Sequence, residues 1–402
     1  MQRIILCLCA VLTLTISAGA DWRQFRGNDA DGLSSVTVPT DWSNGAPIAW
    51  SAELVGRGLA SPIIVNGQVV VTASSGPSQE RLHVLSFDAD TGELQWERQF
   101  WATGRTACHP KTCVAAPTPA SDGERIFAFY SSNDVVCLDL DGNLLWYRGL
   151  THDFPNASNS LGMASSPVVA NETLIVMVEN DAESFTTGLD TATGETRWRL
   201  DRPRAANWTS PVIMTDEADG SLHVLIQSSK GVVAVKPKTG EESWNYQDGA
   251  STTPSSVVSG EVVFVPSNGV TALKVGESNP NVPEILWNEG GLQPGTSSLT
   301  AADGRLYLIN RGGVLASVNQ KTGERLWQLR LKGNFSGSPV IAGKNLFTFN
   351  EDGEGFAVEL GDEEGKIVGT HELGETILCT PAIADGAIYV RSDGHLWKIA
   401  QQ

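Results

Sequence analysis

The chain of 402 residues repeats one pattern along most of its length. Each copy begins with small residues, usually followed by proline, ahead of a short apolar run. The copies are spaced by roughly 40 to 55 residues, which is the range of propeller blades rather than of short solenoid repeats. The eight copies are ASPIIV (60–65), AAPTPA (115–120), SSPVVA (165–170), TSPVIM (209–214), TTPSSV (252–257), TSSLTA (296–301), SGSPVI (336–341) and CTPAIA (379–384).

Strand signals follow each copy. Turn residues come first and an alternating apolar run comes next, as in NGQVVVTAS (66–74) and DGRLYLIN (303–310). Runs of β-branched and aromatic residues with a period of two, bounded by Gly, Asn and Asp, indicate β-strands. A third run follows, as in GVVAVKP (231–237), and no segment has the period and caps of a long helix. The sequence therefore predicts eight units of four short antiparallel strands.

A second motif ends most units, with a Thr-Gly pair four residues ahead of a Trp. It occurs in SFDADTGELQWER (86–98), DTATGETRWRL (190–200), AVKPKTGEESWNY (234–246) and SVNQKTGERLWQL (317–329). Glycine adopts positive φ in a tight turn without steric cost, and the Trp is expected to pack against the neighbouring blade. The predicted contact residues are Trp50, Trp96, Trp146, Trp198, Trp244, Trp287, Trp327, Gly92, Gly142, Gly194, Gly240 and Gly323. The seventh unit, GKIVGTHELG (365–374), lacks the Trp and should make the weaker contact.

The two ends of the repeated region complement each other. The segment APIAWSAEL (46–54) resembles a fourth strand with its Trp, but it precedes the first unit. The last unit stops at HLWKIAQQ (395–402), which is a third strand without a fourth. A ring closes when the N-terminal strand completes the C-terminal blade and removes the open edge. We therefore predict an all-β, eight-bladed β-propeller over residues 46–402, preceded by an N-terminal extension (21–45).

The first twenty residues have the features of a secretory signal peptide. Arg3 precedes an apolar run (4–16), and Ala18-Gly19-Ala20 is a small-residue cleavage signature. A membrane anchor is the alternative, but the run is shorter than the ~20 residues that a spanning helix needs, and no later stretch is long and apolar enough. We expect an exported protein, periplasmic or extracellular, cleaved near Ala20. A net charge of -18 argues against nucleic-acid partners.

Four cysteines lie beyond the predicted cleavage site. Cys108 and Cys113, in TACHPKTC, are close enough for a disulfide to close a short loop, and free thiols are the alternative. With His109 they make only three of the four ligands that zinc takes, so no metal site is predicted. Cys137 and Cys379 stand in apolar, strand-like contexts and are expected to be buried thiols.

The repeated motif resembles that of a known family. The pattern Ala-x-Asp-x-x-Thr-Gly-x-x-x-Trp is similar to the repeat of quinoprotein alcohol dehydrogenase-like propellers, also called PQQ-like repeats. Matching residues are Asp88, Thr91, Gly92 and Trp96; Asp190, Thr193, Gly194 and Trp198; Ala234, Thr239, Gly240 and Trp244; Thr322, Gly323 and Trp327. In size and repeat type the chain also resembles the propellers of outer-membrane β-barrel assembly (BamB-like). The resemblance implies the fold, whereas function has to come from a site.

The resemblance implies two different functions. Dehydrogenases of the family bind pyrroloquinoline quinone (PQQ) at the axis beside Ca²⁺, with an Asp as base and in many members a disulfide between adjacent cysteines. This chain has no Cys-Cys pair and no Cys-x-x-Cys-His haem motif, and its base and Ca²⁺ ligands cannot be assigned. The barrel-assembly propellers bind protein partners through loops, although this chain lacks their lipid-attachment cysteine. We expect a non-catalytic binding scaffold in the cell envelope, without catalytic residues or cofactor; the alternative is a PQQ- and Ca²⁺-dependent alcohol or sugar dehydrogenase.

Three long connections between units are candidate binding surfaces, because loops on one face of a propeller usually bind its ligands. They are FWATGRTACHPKTCVA (100–115), RGLTHDFPNASNSLGMA (148–164) and DRPRAANW (201–208). Their basic, amide and aromatic groups predict a polar pocket or docking face for an envelope or secreted protein or a small ligand; solvated loops are the alternative. The candidate residues are Arg105, His109, Lys111, His152, Asp153, Asn156, Asn159, Arg202, Arg204, Asn207 and Trp208.

Overall fold

The computed structural model describes residues 21–42, 45–157, 161–217, 219–276 and 279–401. Its strands form eight sheets of four antiparallel strands each, and one sheet gains a short fifth strand. This confirms the predicted all-β, eight-bladed propeller. Side chains from neighbouring blades interdigitate into a series of apolar clusters that run around the ring.

The blades follow one another along the chain, and each runs from an inner first strand to an outer fourth strand. Blades 1 to 4 comprise Ile63–Val65, Gln68–Ser75, Arg81–Asp88 and Leu94–Trp101; Ala120–Ser121, Arg125–Phe129, Asp134–Asp139 and Leu144–Gly149; Val168–Ala170, Thr173–Val178, Phe185–Asp190 and Thr196–Asp201; Val212–Thr215, Leu222–Ser228, Gly231–Val235 and Glu242–Tyr246. Blades 5 to 7 comprise Val257–Ser259, Val262–Ser267, Gly269–Gly276 and Asn279–Glu289; Thr300–Ala302, Arg305–Ile309, Val314–Asn319 and Arg325–Arg330; Val340–Ala342, Asn345–Phe349, Glu354–Leu360 and Gly365–Glu372. A one-turn helix, Leu150–Asp153, follows blade 2.

Blade 8 contains both ends of the ring. Its first three strands are Ala382–Ala384, Ala387–Arg391 and His395–Ile399, and its fourth is the N-terminal strand Ile48–Glu53. The last two pair antiparallel, with Ala52 opposite Leu396. The predicted closure is therefore confirmed, because the N-terminal strand pairs with the edge that the third strand of blade 8 would otherwise expose.

Six blade-to-blade contacts of the described structure join a Trp of one blade to the glycine turn of the next blade. An added Cβ on that glycine would lie 2.5 to 2.8 Å from the indole ring, so only glycine fits beneath it. The pairs are Trp50–Gly92, Trp96–Gly142, Trp146–Gly194, Trp198–Gly240, Trp287–Gly323 and Trp327–Gly365. Each of these indole N–H groups donates to a backbone carbonyl of the next blade at 2.8 to 3.1 Å. Trp244 is buried on blade 4, and the turn it should meet includes residues 277 and 278, which lie outside the described residues.

Blade 7 lacks a Trp on its outer strand, but a Trp of the N-terminal extension packs against this blade instead. Trp42 of the N-terminal extension is buried and lies against Phe347 and Phe349 of blade 7, with ring centroids 5.9 and 6.4 Å apart. A Cβ on Gly369 would lie 2.7 Å from Trp42. The sequence predicted a weaker contact here because Trp42 lies outside the repeats.

The N-terminal extension crosses one end of the ring and touches blade after blade. Trp22 pairs with Ile64 of blade 1 through two backbone hydrogen bonds. The short strand Leu33–Ser34 adds to blade 7, parallel to its first strand. Between them lie contacts with blades 2, 3, 4, 5 and 6, made by Arg23, Gln24, Ala30 and Arg26. Within the described residues, no helix is long and apolar enough to cross a bilayer.

Candidate functional site

The strand order gives the ring two different faces. The turns between first and second strands, and in blades 1 to 7 those between third and fourth strands, lie at one face, which the N-terminal extension also covers. The connections between blades and the turns between second and third strands lie at the opposite face, which we call the mouth face. The three candidate connections (100–115, 148–164 and 201–208) follow the fourth strands of blades 1, 2 and 3, so their described residues lie at the mouth face.

A cavity of about 360 Å³ lies on the propeller axis, and we call it the axial cavity. Residues of the mouth-face connections line it, including His109, Lys111 and Trp208. Phe25 of the N-terminal extension also lines it, and this extension crosses the other end of the ring. The cavity is therefore a funnel with Phe25 at its floor.

Eight buried hydroxyl groups encircle this cavity, one from each blade, and we call them the hydroxyl belt. Each hydroxyl oxygen accepts the backbone N–H of the matching residue in the previous blade at 2.9 to 3.2 Å. The ring of bonds closes where Thr380 N donates to Ser61 Oγ. The members are Ser61, Thr118, Ser166, Ser210, Ser255, Ser298, Ser338 and Thr380. All are at most 4% exposed.

Sequence reasoning missed the hydroxyl belt, although a signal was present. Six of its members directly precede the proline that marks the start of a repeat, as Ser61 precedes Pro62. Ser255 and Ser298 hold the same position without that proline. A hydroxyl that recurs at one position of every repeat must form a ring around the axis of a propeller. The hydrogen bond that each hydroxyl accepts from the previous blade, however, depends on how closely the inner strands approach.

The rim of the cavity is built from connections that hold one another. His109 N donates to Leu161 O at 2.8 Å, and Trp208 Nε1 donates to Gly162 O at 2.9 Å. These two bonds join the connections that follow blades 1, 2 and 3. Across the mouth, Lys111 Nζ lies 3.0 Å from Glu351 Oε2 on a turn of blade 7. The rim is therefore a linked structure rather than a set of separate loops.

Most of the predicted binding residues are accessible on the mouth-face connections, but they do not form one cluster. Trp208 is half-buried at the cavity rim beside His109 and Lys111. His152 and Asp153 line a separate depression beside Arg148, and Asn156 and Arg204 line another. The exposed candidates are Arg105, His109, Lys111, His152, Asp153, Asn156 and Arg204. Asn159 lies outside the described residues.

Two predicted binding residues are buried and engaged inside the protein. Arg202 Nε lies 2.6 Å from Glu179 Oε1, with both side chains at most 4% exposed. Asn207 Nδ2 donates to Glu179 Oε2 at 2.9 Å and to Gln227 O at 2.8 Å. Arg202 and Asn207 therefore anchor the connection beneath the mouth face. Buried charges of this kind need a partner, and Glu179 supplies it.

The four cysteines among the described residues are free thiols. Cys108 and Cys113 form no disulfide, so that alternative of the sequence prediction is wrong for this structure. Cys108 Sγ accepts a hydrogen bond from Gln79 Nε2 at 3.5 Å, and Cys113 is fully buried. Burial raises the pKa of the Cys113 thiol to about 12 and that of Cys379 to about 11, which leaves both protonated and unreactive at neutral pH.

Blade 1 brings a Ser, a His and a Glu into a hydrogen-bonded row. Ser75 Oγ lies 2.7 Å from His83 Nε2, and His83 Nδ1 lies 2.6 Å from Glu97 Oε1. This is the order of groups in a hydrolytic triad. His83, however, is 2% exposed and lies within the sheet. We assign the row a structural role, in which both nitrogens of a buried imidazole are satisfied.

The axial cavity does not offer the ligands that PQQ with Ca²⁺ would need. Glu351 is the one carboxylate among the described residues that line it, and Lys111 and Ser336 already bind that carboxylate. No group of three His, Cys, Asp or Glu side chains that could hold a metal ion occurs within the described residues. Ca²⁺ takes six to eight oxygen ligands, several of them carboxylates. A belt of neutral hydroxyls does not fit that requirement.

Comparison with known proteins places the chain in a family. The profile of the family described as "Outer membrane protein assembly factor BamB" matches residues 40–162, 114–312, 278–368 and 311–402. The chain belongs to this BamB family. Its PQQ-like repeats, predicted from the sequence, are those of this family. A comparison with curated protein sequences found no match.

Solved structures agree on the fold of this BamB family member. BamB from Moraxella catarrhalis is similar with a TM-score of 0.62 at 17% identity, over 88% of this chain and 97% of that one. A europium-containing methanol dehydrogenase reaches 0.74 at 13% identity, over 95% and 98%. Quinohemoprotein alcohol dehydrogenase from Comamonas testosteroni reaches 0.72 at 14% identity, over 95% and 81%. At these identities the likeness shows the fold alone.

Proposed function

We propose that this chain is an exported, non-catalytic propeller that docks an envelope or secreted protein on its mouth face. The observation that carries the proposal is the rim of the axial cavity. Three hydrogen-bonded connections there place His109, Lys111 and Trp208 around the opening. Arg105 and Arg204 are exposed on the same connections.

The chemistry of this rim differs from that of the rest of the chain. Basic groups are concentrated there although the chain carries a net charge of -18. Arg and Trp supply a large part of the binding energy in many protein interfaces, and rigidly held loops are the usual carriers of binding groups. The partner surface that fits is acidic, with apolar groups that cover Trp208. Opposite charges across such an interface also speed association.

Family membership supports this role and location. The description of the family is that of an assembly factor of the outer membrane, which is a role of binding proteins rather than of catalysis. The predicted signal peptide fits an envelope location as well. Because one fold hosts many functions, the role of this chain depends on the rim itself.

The docking proposal is tested by capture of envelope proteins on the immobilised mature protein. In the test variant Arg105, His109 and Arg204 are all replaced by Ala. We expect capture of an acidic partner to weaken about tenfold, since exposed charges contribute on the order of 0.5 kcal/mol each. The matched control replaces Lys238, Lys321 and Lys344, which are exposed near the opposite face, and should capture like the wild type.

Two outcomes would contradict this function. Equal capture by the wild type and by the rim variant would show that the mouth face does not dock the partner. Purified protein that retains PQQ absorbance after gel filtration with Ca²⁺, and then reduces a dye with alcohols, would show a dehydrogenase instead.

A further inference from the structure

The hydroxyl belt is a set of hydrogen-bond donors without acceptors. Each belt oxygen accepts a backbone N–H, and none donates a hydrogen bond to another described residue. The proton of each hydroxyl is therefore available to a group inside the axial cavity. An accepted N–H also polarises the hydroxyl and strengthens it as a donor. Eight such donors favour a ligand with negatively charged oxygen.

A buried positive charge lies beside the belt on the N-terminal side. Arg26 is 1% exposed, and its guanidinium donates to the carbonyls of Ser256 and Leu299. These two residues directly follow the belt members Ser255 and Ser298. Arg26 forms no ion pair with a carboxylate among the described residues, and the nearby Asp31 only partly offsets its charge. Burial lowers the pKa of Arg26 to about 10, so it stays charged at neutral pH.

A second buried arginine contacts the cavity wall through its backbone. Arg391 is 1% exposed, and its backbone N–H donates to the thiol of Cys379, which lines the cavity. Its Nη1 donates to Thr72 O at 2.6 Å, whereas its Nη2 has no partner within the described structure. Buried charges without a counter-ion are costly. Asp31 acts on Arg26 and Asp393 acts on Arg391, but neither carboxylate forms an ion pair with these arginines in the described structure. The two buried guanidinium groups therefore favour an anion in the cavity over a cation.

Part of the remaining wall of the cavity is apolar, whereas its polar groups are His109, Thr112, Thr253, Thr296, Ser336 and the paired Lys111 and Glu351. Phe25 forms the floor, and Leu59, Ala116, Ala164 and Leu378 lie around the sides. A volume of about 360 Å³ accommodates a small organic molecule or the end of a chain. The ligand that fits therefore combines an anionic oxygen group with a small apolar body.

We propose that the axial cavity binds a carboxylate with a small apolar body, and that the hydroxyl belt receives the carboxylate. A singly charged group fits better than a phosphate dianion, because both arginines donate to carbonyl oxygens and act on the cavity only through space. A free small acid and the C-terminal residue of a protein present the same chemistry. The inference goes beyond the docking proposal, because a free acid would bind even if the rim captured no protein.

The test compares ligands of equal shape and different charge by isothermal titration calorimetry of the wild-type protein. The probes are 4-methylpentanoate for a free acid and N-acetyl-leucine for a chain end, each beside its carboxamide, with 4-methylpentylamine as the cationic analogue. We expect at least one acid to bind tenfold or more tightly than its amide, and the amine not to bind. Preference for one of the two acids identifies the source. Acids that bind no better than their amides, or no binding of any probe at millimolar concentration, would overturn the proposal.

Variants then locate the carboxylate. Ser255→Cys and Ser298→Cys keep a side chain of similar shape and a weak acceptor for the neighbouring N–H, but they provide a poorer donor. Each should weaken acid binding about tenfold and leave amide binding unchanged. Ser317→Cys, a buried serine of blade 6 that does not line the cavity, is the matched control. A variant with only Arg105 and Arg204 replaced by Ala should still bind the acid, because neither residue lines the cavity. This variant separates failure of the two proposals. If a belt variant does not fold, the comparison of acid and amide on the wild type still decides.

Discussion

At the scale of single residues, Gly194 carries two constraints together. Its φ of +73° belongs to the left-handed region, and an added Cβ would lie 2.7 Å from the ring of Trp146 on the preceding blade. The same indole donates its N–H to Thr191 O at 3.0 Å. The turn and the blade contact are thus formed by the same glycine, which explains why Gly and Trp recur together.

The first prediction separates these two constraints. Gly194→Ala should lower the free energy of unfolding by about 2–5 kcal/mol, from backbone strain of about 1–2 kcal/mol plus overpacking of about 1–3 kcal/mol. Gly304 has the same φ of +73° but nothing within 4 Å of an added Cβ, so Gly304→Ala should show the strain alone. Urea unfolding measures both. Equal losses of unfolding free energy in the two variants would mean that the ring of Trp146 moves aside without an energetic cost.

The sequence made the contact residues predictable because they recur at one register in repeats that must stack. Trp42 was not predictable, since its segment has no repeat and only the folded ring brings it to blade 7. The burial of Arg202 was also hidden, because its partner Glu179 lies on an earlier turn of the same blade. An exposed loop and a buried ion pair look alike in a sequence. The axial cavity could not be predicted from the sequence either, because it forms only where residues of all eight blades surround the axis.

At the scale of elements, the carboxylate of Asp190 organises the Thr-Gly turn. It accepts the backbone N–H groups of Ala192 and Thr193 at 2.9 and 3.0 Å, and Arg197 pairs with it at 2.6 Å. The hydrogen bond from Arg197, helped by the backbone donors, lowers the pKa of Asp190 to about 2. In blade 6 the amide of Asn319 holds the same place and accepts Lys321 N at 2.8 Å. The side-chain oxygen acceptor of the turn is ionisable in blade 3 and neutral in blade 6. Blade 4 has Lys236 at this position, and there Thr239 N donates to the backbone carbonyl of Lys236 instead.

The second prediction concerns the acid stability of this turn. The pKa of Asp190 is lower in the folded state than the ~3.9 of an unfolded chain, so its ionised form stabilises the fold above about pH 4 and this stabilisation is lost as the pH falls towards 2. Asp190→Asn should keep the turn but reduce the slope of the unfolding free energy against pH in that window. The reduction should correspond to up to about one proton fewer taken up on unfolding. Urea unfolding at intervals between pH 5 and pH 2 measures the slope. The reciprocal variant Asn319→Asp should steepen it, and an unchanged slope in both variants would contradict this account.

At the scale of the whole molecule, the ring is closed by two separate devices. The strand Ile48–Glu53 completes blade 8 through backbone pairing. The N-terminal extension crosses the floor of the ring and ends with Trp42 packed into the contact that blade 7 cannot make alone. The extension is therefore part of the propeller's core, although it lies outside the repeated region of the sequence.

The last prediction follows from that role. Trp42→Ala should cost about 3–5 kcal/mol of unfolding free energy, which is typical of a large aromatic removed from a core, because Trp42 is 2% exposed. Trp101→Ala is the matched control: that ring is 61% exposed and its main partner is the guanidinium of Arg81 at 4.9 Å, worth about 0.5–1 kcal/mol. Guanidinium chloride unfolding, followed by tryptophan fluorescence and by circular dichroism, measures both. A ring that depends on the extension should unfold in one transition by both probes, at a lower midpoint for Trp42→Ala. A nearly unchanged midpoint, or an early transition confined to one probe, would show that the extension lies on the ring without supporting it.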